Sequence, residues 1–331
     1  MIYPHISAPG SIMLLGEHSV LNGGNSIVCA IDKRIFVQVI PNITNKKIII
    51  DSNLGFYESS LDELKEDKRF EFVIEVFKFF KDEISDGIEI KIKSEFLSSV
   101  GFGSSAAVTV ASFNALFYHV NGFLPDHFFT YKNSLNIVRR IQRWASGADI
   151  IASIYGGINA YRQPHNDLLK NKAIIKPSIV KYENTLPLTA VYCGYKKSTD
   201  QVIKEVIIED YLNDQEYLID GIFKEIEECT VDGCEALTNN DLIKLGSIMN
   251  DQHNIMDSLG LNTFELQEIH EILSSDHNIF GAKISGSGLG DCIVGLGRAE
   301  EWEKELTNQS IIYEKYPIFD LNVDKSGVMQ S

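Results

Sequence analysis

The most constraining stretch of this chain is Val100-Gly101-Phe102-Gly103-Ser104-Ser105-Ala106-Ala107, which leads into residues 104–120, mostly apolar or small, with Asn121-Gly122 as a stop signal. Glycines let a backbone turn its amides toward a ligand, and the first turn of a helix offers unpaired N–H groups and the positive end of its dipole. The pattern therefore predicts a buried helix whose N-terminus is suited to phosphate. Ser104 and Ser105 add hydroxyls that fit three roles: helix cap, phosphate contact or Mg²⁺ ligand. A plain serine cap on a tightly packed helix would use the same residues. The segment is not a Walker loop, because no Gly-Lys-Ser/Thr follows at the required spacing, and it lacks the third glycine of the dinucleotide fingerprint.

A length of 331 residues gives a prior of about two domains. Short β-branched runs at 27–30, 35–40, 47–50 and 87–92 read as strands, and three- and four-residue apolar spacing predicts an amphipathic helix over 61–84. Further helix is expected from 133 to 154, broken at Ala145-Ser146-Gly147, then strands at 158–161 and 189–193 and a helical tract from 201 to about 275. Residues 281–296 read as strand, Gly/Ser-rich turn, strand. A polar stretch with Pro177 and Pro187 places the boundary between an N-terminal domain, 1–185, and a C-terminal domain, 186–331.

Thirty basic against 46 acidic residues give a net charge of −16, which argues against nucleic-acid and membrane partners while leaving room for one small anionic ligand. Five cysteines, an odd number without C-x-x-C spacing, read as reduced thiols. The N-terminus lacks a basic region followed by an apolar stretch, so a cytoplasmic protein is expected.

Two further segments accompany the loop: Ala8-Pro9-Gly10-Ser11 running into Gly16-Glu17-His18-Ser19-Val20, and Lys283-Ile284-Ser285-Gly286-Ser287-Gly288-Leu289-Gly290-Asp291-Cys292. In this order and at these separations, the three resemble the signature motifs of the GHMP small-molecule kinases, over most of the chain. The resemblance implies an α+β, two-domain GHMP kinase fold: an N-terminal nucleotide-binding domain and a C-terminal α/β domain with a cleft between. It implies ATP and Mg²⁺ as cofactors, a small-molecule substrate, and leaves a homodimer open. Carried over, Gly101, Gly103, Ser104, Ser105 and Ala106 hold the nucleotide phosphates, Ser105 ligates Mg²⁺, and Gly286 and Ser287 support that loop and the substrate. Gly16-Glu17-His18 is most similar to the mevalonate kinase branch, where the matching Glu and His face substrate. Tyr195-Lys196-Lys197-Ser198-Thr199 resembles the family's substrate-side loop, making Lys197 a candidate partner for a carboxylate.

Ser146-Gly147-Ala148-Asp149, followed by Tyr155-Gly156-Gly157, matches the segment carrying the family's catalytic aspartate, so Asp149 is the expected base; a simple helix cap after Gly147 is the alternative. Two positions depart from the pattern. Ser11 stands where a lysine usually follows Ala-Pro-Gly, and Val138 stands eleven residues before Asp149, where the metal-binding glutamate is usual. The alternatives are a phosphomevalonate kinase, which needs an added basic cluster, a sugar 1-kinase, which is further off, or a catalytically weakened binder of nucleotide or metabolite. Arg139, Arg140 and Arg143 are either cleft cations or a solvated helix face.

Overall fold

The computed structural model describes residues 3–42, 46–163, 174–208, 216–299 and 316–330. The first sheet runs β12-β1-β2-β5-β3-β4, with β6 on β2 and β7 on β6. Its frame is β1 (His5–Leu15) and the 18-residue β2 (Asn25–Asn42). The start of β2 pairs with β6 (Ile158–Arg162) and its end with β5 (Gly87–Ser94). β3 (Lys47–Ser52) and β4 (Gly55–Ser60) continue one edge, β7 (Ser178–Tyr182) the β6 side, and β12 (Met329–Gln330) pairs with β1.

Four helices cover one face: α1 (Glu71–Phe80), α2 (Ser104–Asn121), α3 (His127–Ile141) and α4 (Ala148–Tyr155). The second sheet is antiparallel, in the order β11 (Ile318–Leu321), β8 (Leu188–Tyr192), β10 (Cys292–Gly297), β9 (Ile279–Ser285). It packs with α5 (Glu216–Thr238), α6 (Leu242–Ser258) and α7 (Phe264–Ser275). No helix among the described residues is long and apolar enough to cross a membrane.

β1 and β2 are apolar on both faces because each face is covered. Val28 and Ala30 join the core under α1–α4, whereas Ile27, Cys29 and Ile31 join a second core with Leu188, Ala190 and Val294 of the other sheet. Period-two alternation thus feeds two cores from one strand. The chain passes from the first sheet to the second between Tyr182 and Leu188, and its C-terminal segment returns to β1.

Two of the differences from the sequence reading have a cause visible in the structure. The helix expected over 61–84 is α1 followed by a short 3₁₀ turn, Lys81–Glu83. Residues 61–70 instead form a turn closed by Ser59, whose hydroxyl donates to the Glu63 carbonyl (2.7 Å) and accepts from the Lys65 amide (3.0 Å). The two strands expected at 27–30 and 35–40 are one, because Asp32 and Arg34 between them are satisfied by the returning tail. The Asn322 side chain donates to Asp32 at 2.7 Å, and Arg34 pairs with Asp324.

Candidate active site

Strand β1 assembles the site through three alternate residues. The Pro9 carbonyl accepts from the Ser153 hydroxyl of α4 at 2.9 Å, the Ser11 amide donates to the Phe102 carbonyl at 3.1 Å, and the Met13 carbonyl accepts from the Ser285 hydroxyl at 3.1 Å. One strand therefore carries the aspartate-bearing helix, the Gly/Ser loop and the C-terminal glycine turn. They surround a cleft of about 500 Å³.

α3, α6 and α7 are capped by Asp126, Asp241 and Thr263. α2 and α4 open on Gly103 and Gly147, both left-handed (φ 61° and 93°), with no side-chain cap. These two helices begin at the cleft, so their dipoles point where an anion would sit, although the Ala148 N–H of α4 already donates to the Ser146 Oγ at 3.3 Å. Gly103 also permits close approach, since a Cβ there would lie 2.0 Å from the Ser11 Oγ.

Gly101, Gly103, Ser105 and Ala106 line the cleft; the Ser104 hydroxyl turns away and donates to the Ser98 carbonyl at 3.2 Å. A second cavity of about 600 Å³, walled by Leu54, Phe70, Phe96 and Leu97, joins the first through Ser99, Ser105, Gln142 and Lys196.

Asp149 stands in the first turn of α4, half-buried in the cleft wall, and accepts from the Ser11 hydroxyl at 2.7 Å. Burial pushes its carboxyl above the usual range; the Ser11 hydrogen bond and then the Lys196 charge oppose that shift. Ser11 thus contacts the aspartate without bringing a charge.

Glu17 and His18 line the same cleft and are 3% and 5% exposed. Glu17 pairs with Lys283 of β9, itself 0% exposed, and accepts from the Gln252 amide at 2.6 Å. The His18 Nε2 lies 3.0 Å from the Ser287 carbonyl, which can only accept, so Nε2 carries the proton. Burial lowers the His18 pKa, and the neutral ring leaves Nδ1 as a buried acceptor with no partner among the described residues. His18 holds a left-handed φ of 63°, unusual for a residue with a Cβ.

Gly286 and Ser287 line the cleft as well. Lys197 does not: it pairs with Glu205 on the outside, while Lys196 reaches into the cleft. Val138 lies in the same cleft wall as Ser105, and no group of three or more His, Cys, Asp or Glu side chains able to hold a metal occurs among the described residues. Arg139 braces the α3–α4 turn through the Ala145 carbonyl (3.1 Å), Arg140 pairs with Glu75, and Arg143 stacks over Trp144, with none of the three lining the cleft. Lys283, Lys196 and Asp291 lie in segments the motifs marked, whereas Gln252 lies in α6 outside them, and the roles of all four depend on tertiary pairing.

The buried ionisable groups set a pH dependence of stability. Burial lowers His18, His270 and His253, the last to about 3, from an ordinary 6.5, and His253 stacks on His270 with ring centroids 3.6 Å apart. The unfolded chain binds more protons than the native one below pH 6.5, so stability falls with pH through that window. Asp291, raised by burial from 3.8 to about 6, acts oppositely between those values and offsets part of the loss. Urea midpoints should therefore decline from pH 7 to pH 4, and a profile flat or rising toward acid contradicts this electrostatic assignment.

Comparison with known proteins agrees with this geometry. Residues 71–157 match the family model for the GHMP kinases N terminal domain, 234–315 that for the GHMP kinases C terminal, and 5–41 the galactokinase galactose-binding signature. The chain is 26% identical to the mevalonate kinase of Aeropyrum pernix over 97% of its own length and 96% of that protein. The crystal structure of the Methanococcus jannaschii mevalonate kinase superposes with a TM-score of 0.77 at 26% identity, covering 97% of this chain and 98% of the other. A Listeria innocua protein shares the fold at a TM-score of 0.83 and 20% identity, covering 100% of this chain and 99% of that one. With both halves matched and the fold shared end to end, this α+β chain of two sheets and a cleft belongs to the GHMP kinase family.

Proposed function

We propose that this chain transfers the γ-phosphoryl group of ATP to the primary hydroxyl of mevalonate, using two domains divided near residue 185. The observation that carries this reading is that Asp149, hydrogen-bonded to Ser11, and the uncapped N-terminus of α2 line one cleft, with Ser11 packed against both. Gly101, Gly103, Ser105 and Ala106 present the phosphate cradle, and the adjoining apolar cavity offers room for the purine base. Ser105 in the cleft wall would contribute a hydroxyl ligand to the Mg²⁺ of MgATP, which would neutralise phosphate charge there, whereas Val138 in the same cleft has no atom to offer it.

Asp149 then accepts the proton of the attacking hydroxyl as its oxygen bonds to phosphorus. The His18 Nδ1 accepts a hydrogen bond from the substrate, with Glu17 beside it and Gly286 and Ser287 closing that side of the cleft. Lys197, paired with Glu205, is proposed as a substrate contact only if it exchanges that partner.

A phosphorylated acceptor fits less well, because Lys196 is the one lysine or arginine among the described cleft-lining residues. The test is a coupled ADP-release assay with MgATP and, in separate reactions, mevalonate, phosphomevalonate and galactose. Turnover on mevalonate well above the other two is expected. A clear preference for phosphomevalonate or galactose reassigns the substrate, and ATP binding without transfer to any acceptor leaves a nucleotide-binding protein.

A further inference from the structure

The cleft must stabilise a transferring phosphoryl group, yet position 11 supplies a hydroxyl and no charge. The side of the cleft formed by the second sheet supplies what β1 lacks. The Lys196 ammonium lies 3.7 Å from the Asp291 Oδ1 at the cleft, on a segment whose backbone is fixed from both directions. The Asp291 amide donates to the Tyr195 carbonyl at 3.0 Å, and the Cys193 amide donates to the Asp291 carbonyl at 3.0 Å. Tyr195 is anchored further by its hydroxyl, 2.8 Å from the Thr263 Oγ1 and 2.9 Å from Glu265.

Asp291 is itself wedged in place. It is 6% exposed with a left-handed φ of 68°, a conformation that costs a residue bearing a Cβ. Its carboxyl packs between the two glycine turns: a Cβ at Gly101 would stand 3.1 Å from its Cγ, and one at Gly286 would stand 3.4 Å from its Oδ2. Among the described residues its Oδ1 has no hydrogen-bond partner, and the separation from Lys196 exceeds hydrogen-bond length. This carboxylate holds a lysine at the cleft without saturating it.

We propose that Lys196, positioned by Asp291, is the cation that contacts the γ-phosphoryl group of bound ATP and neutralises it during transfer. The inference rests on the kinase reading above. In the step, the bond between the acceptor oxygen and the γ-phosphorus forms as the bond from that phosphorus to the β,γ-bridging oxygen breaks. The electron pair leaves on ADP, and the hydroxyl proton passes to Asp149. Lys196 donates a hydrogen bond to a γ-oxygen and transfers no proton, so it is a catalytic residue, whereas Asp291 is a positioning residue.

The experiment uses the full chain with Lys196→Gln, Lys196→Arg, Lys197→Gln, Asp291→Asn and the Lys196→Gln/Asp291→Asn double variant, each checked for native circular dichroism. Titration calorimetry with ATP and with ADP, both with magnesium, should show Lys196→Gln weakening ATP about tenfold and ADP within about threefold, because a charged hydrogen bond to the γ-phosphate is lost. The kcat should fall about 10²-fold, as for one lost transition-state donor, with Lys196→Arg recovering part of it. Asp291→Asn should cost about tenfold, and that cost should vanish in the Lys196→Gln background, since the two act as a unit; a merely structural aspartate would cost the same in both. Equal effects of Lys196→Gln on ATP and ADP, or a larger loss in Lys197→Gln than in Lys196→Gln, overturns the proposal. If the wild-type chain turns over no acceptor, the kinase reading falls, while the ATP-against-ADP comparison still decides the lysine.

Discussion

Asp149→Asn should lower kcat by about 10³-fold while leaving ATP affinity within about threefold, as expected when a general base worth about 10²–10⁴ is removed without changing side-chain volume. The asparagine carbonyl can still accept from the Ser11 hydroxyl, which now holds Asp149 at 2.7 Å, so the helix start and cleft shape are retained. What disappears is the ability to take a proton. Wild-type activity should fall on the acid side as the carboxyl protonates, at a pH above that of an ordinary aspartate because burial outweighs the Ser11 hydrogen bond and the Lys196 charge. The variant's residual activity should lose that acid limb. Steady-state ADP release at saturating ATP and acceptor, over a pH series, reads both effects. A variant within tenfold of wild type removes Asp149 from the base role and leaves it as a helix-start residue.

That prediction was accessible from sequence because the elements behind it are local. Gly101, Gly103 and the small residues opening α2 lie within one turn of chain, and Gly147-Ala148-Asp149 is likewise a glycine-led helix start. Where function depended on strand phase or long-range pairing, the sequence was silent. Lys196 and Lys197 are adjacent and chemically identical, yet in a loop held by the backbone bond from Asp291 to Tyr195 and by the Ser198 cap the first faces the cleft and the second pairs with Glu205. The central residues of β2 read as a break because charged side chains in a strand ordinarily face water. Here Asp32 and Arg34 meet a C-terminal segment some 290 residues away. Ser11 reads from sequence as a simple loss of lysine, but its hydroxyl donates to Asp149 at 2.7 Å, so the position contacts the aspartate while bringing no charge.

Lys283→Met should be the most destabilising single change at the site, costing about 3–5 kcal/mol, because it strands the Glu17 carboxylate in a buried position. Lys283 is 0% exposed and Glu17 3%, so water cannot replace the lost partner, and the Gln252 amide at 2.6 Å is left as the side-chain donor to that carboxylate among the described residues. Burial already lowers the Lys283 pKa, with the Glu17 charge opposing it, the balance expected of a pair whose members are tolerable only together. Urea unfolding of Lys283→Met, Glu17→Gln and the double variant closes a cycle. Each single change should be costly, whereas the double should recover much of the loss, since a neutral amide at position 17 can still bond Gln252 and a methionine fills the lysine's volume. A Lys283→Met protein within about 1 kcal/mol of wild type contradicts the buried pair as drawn. The double variant also separates two roles for Glu17. If stability returns but the KM for the acceptor stays raised, Glu17 touches substrate as well as anchoring β9; if both return, its work is to hold His18 and the turn around it in place.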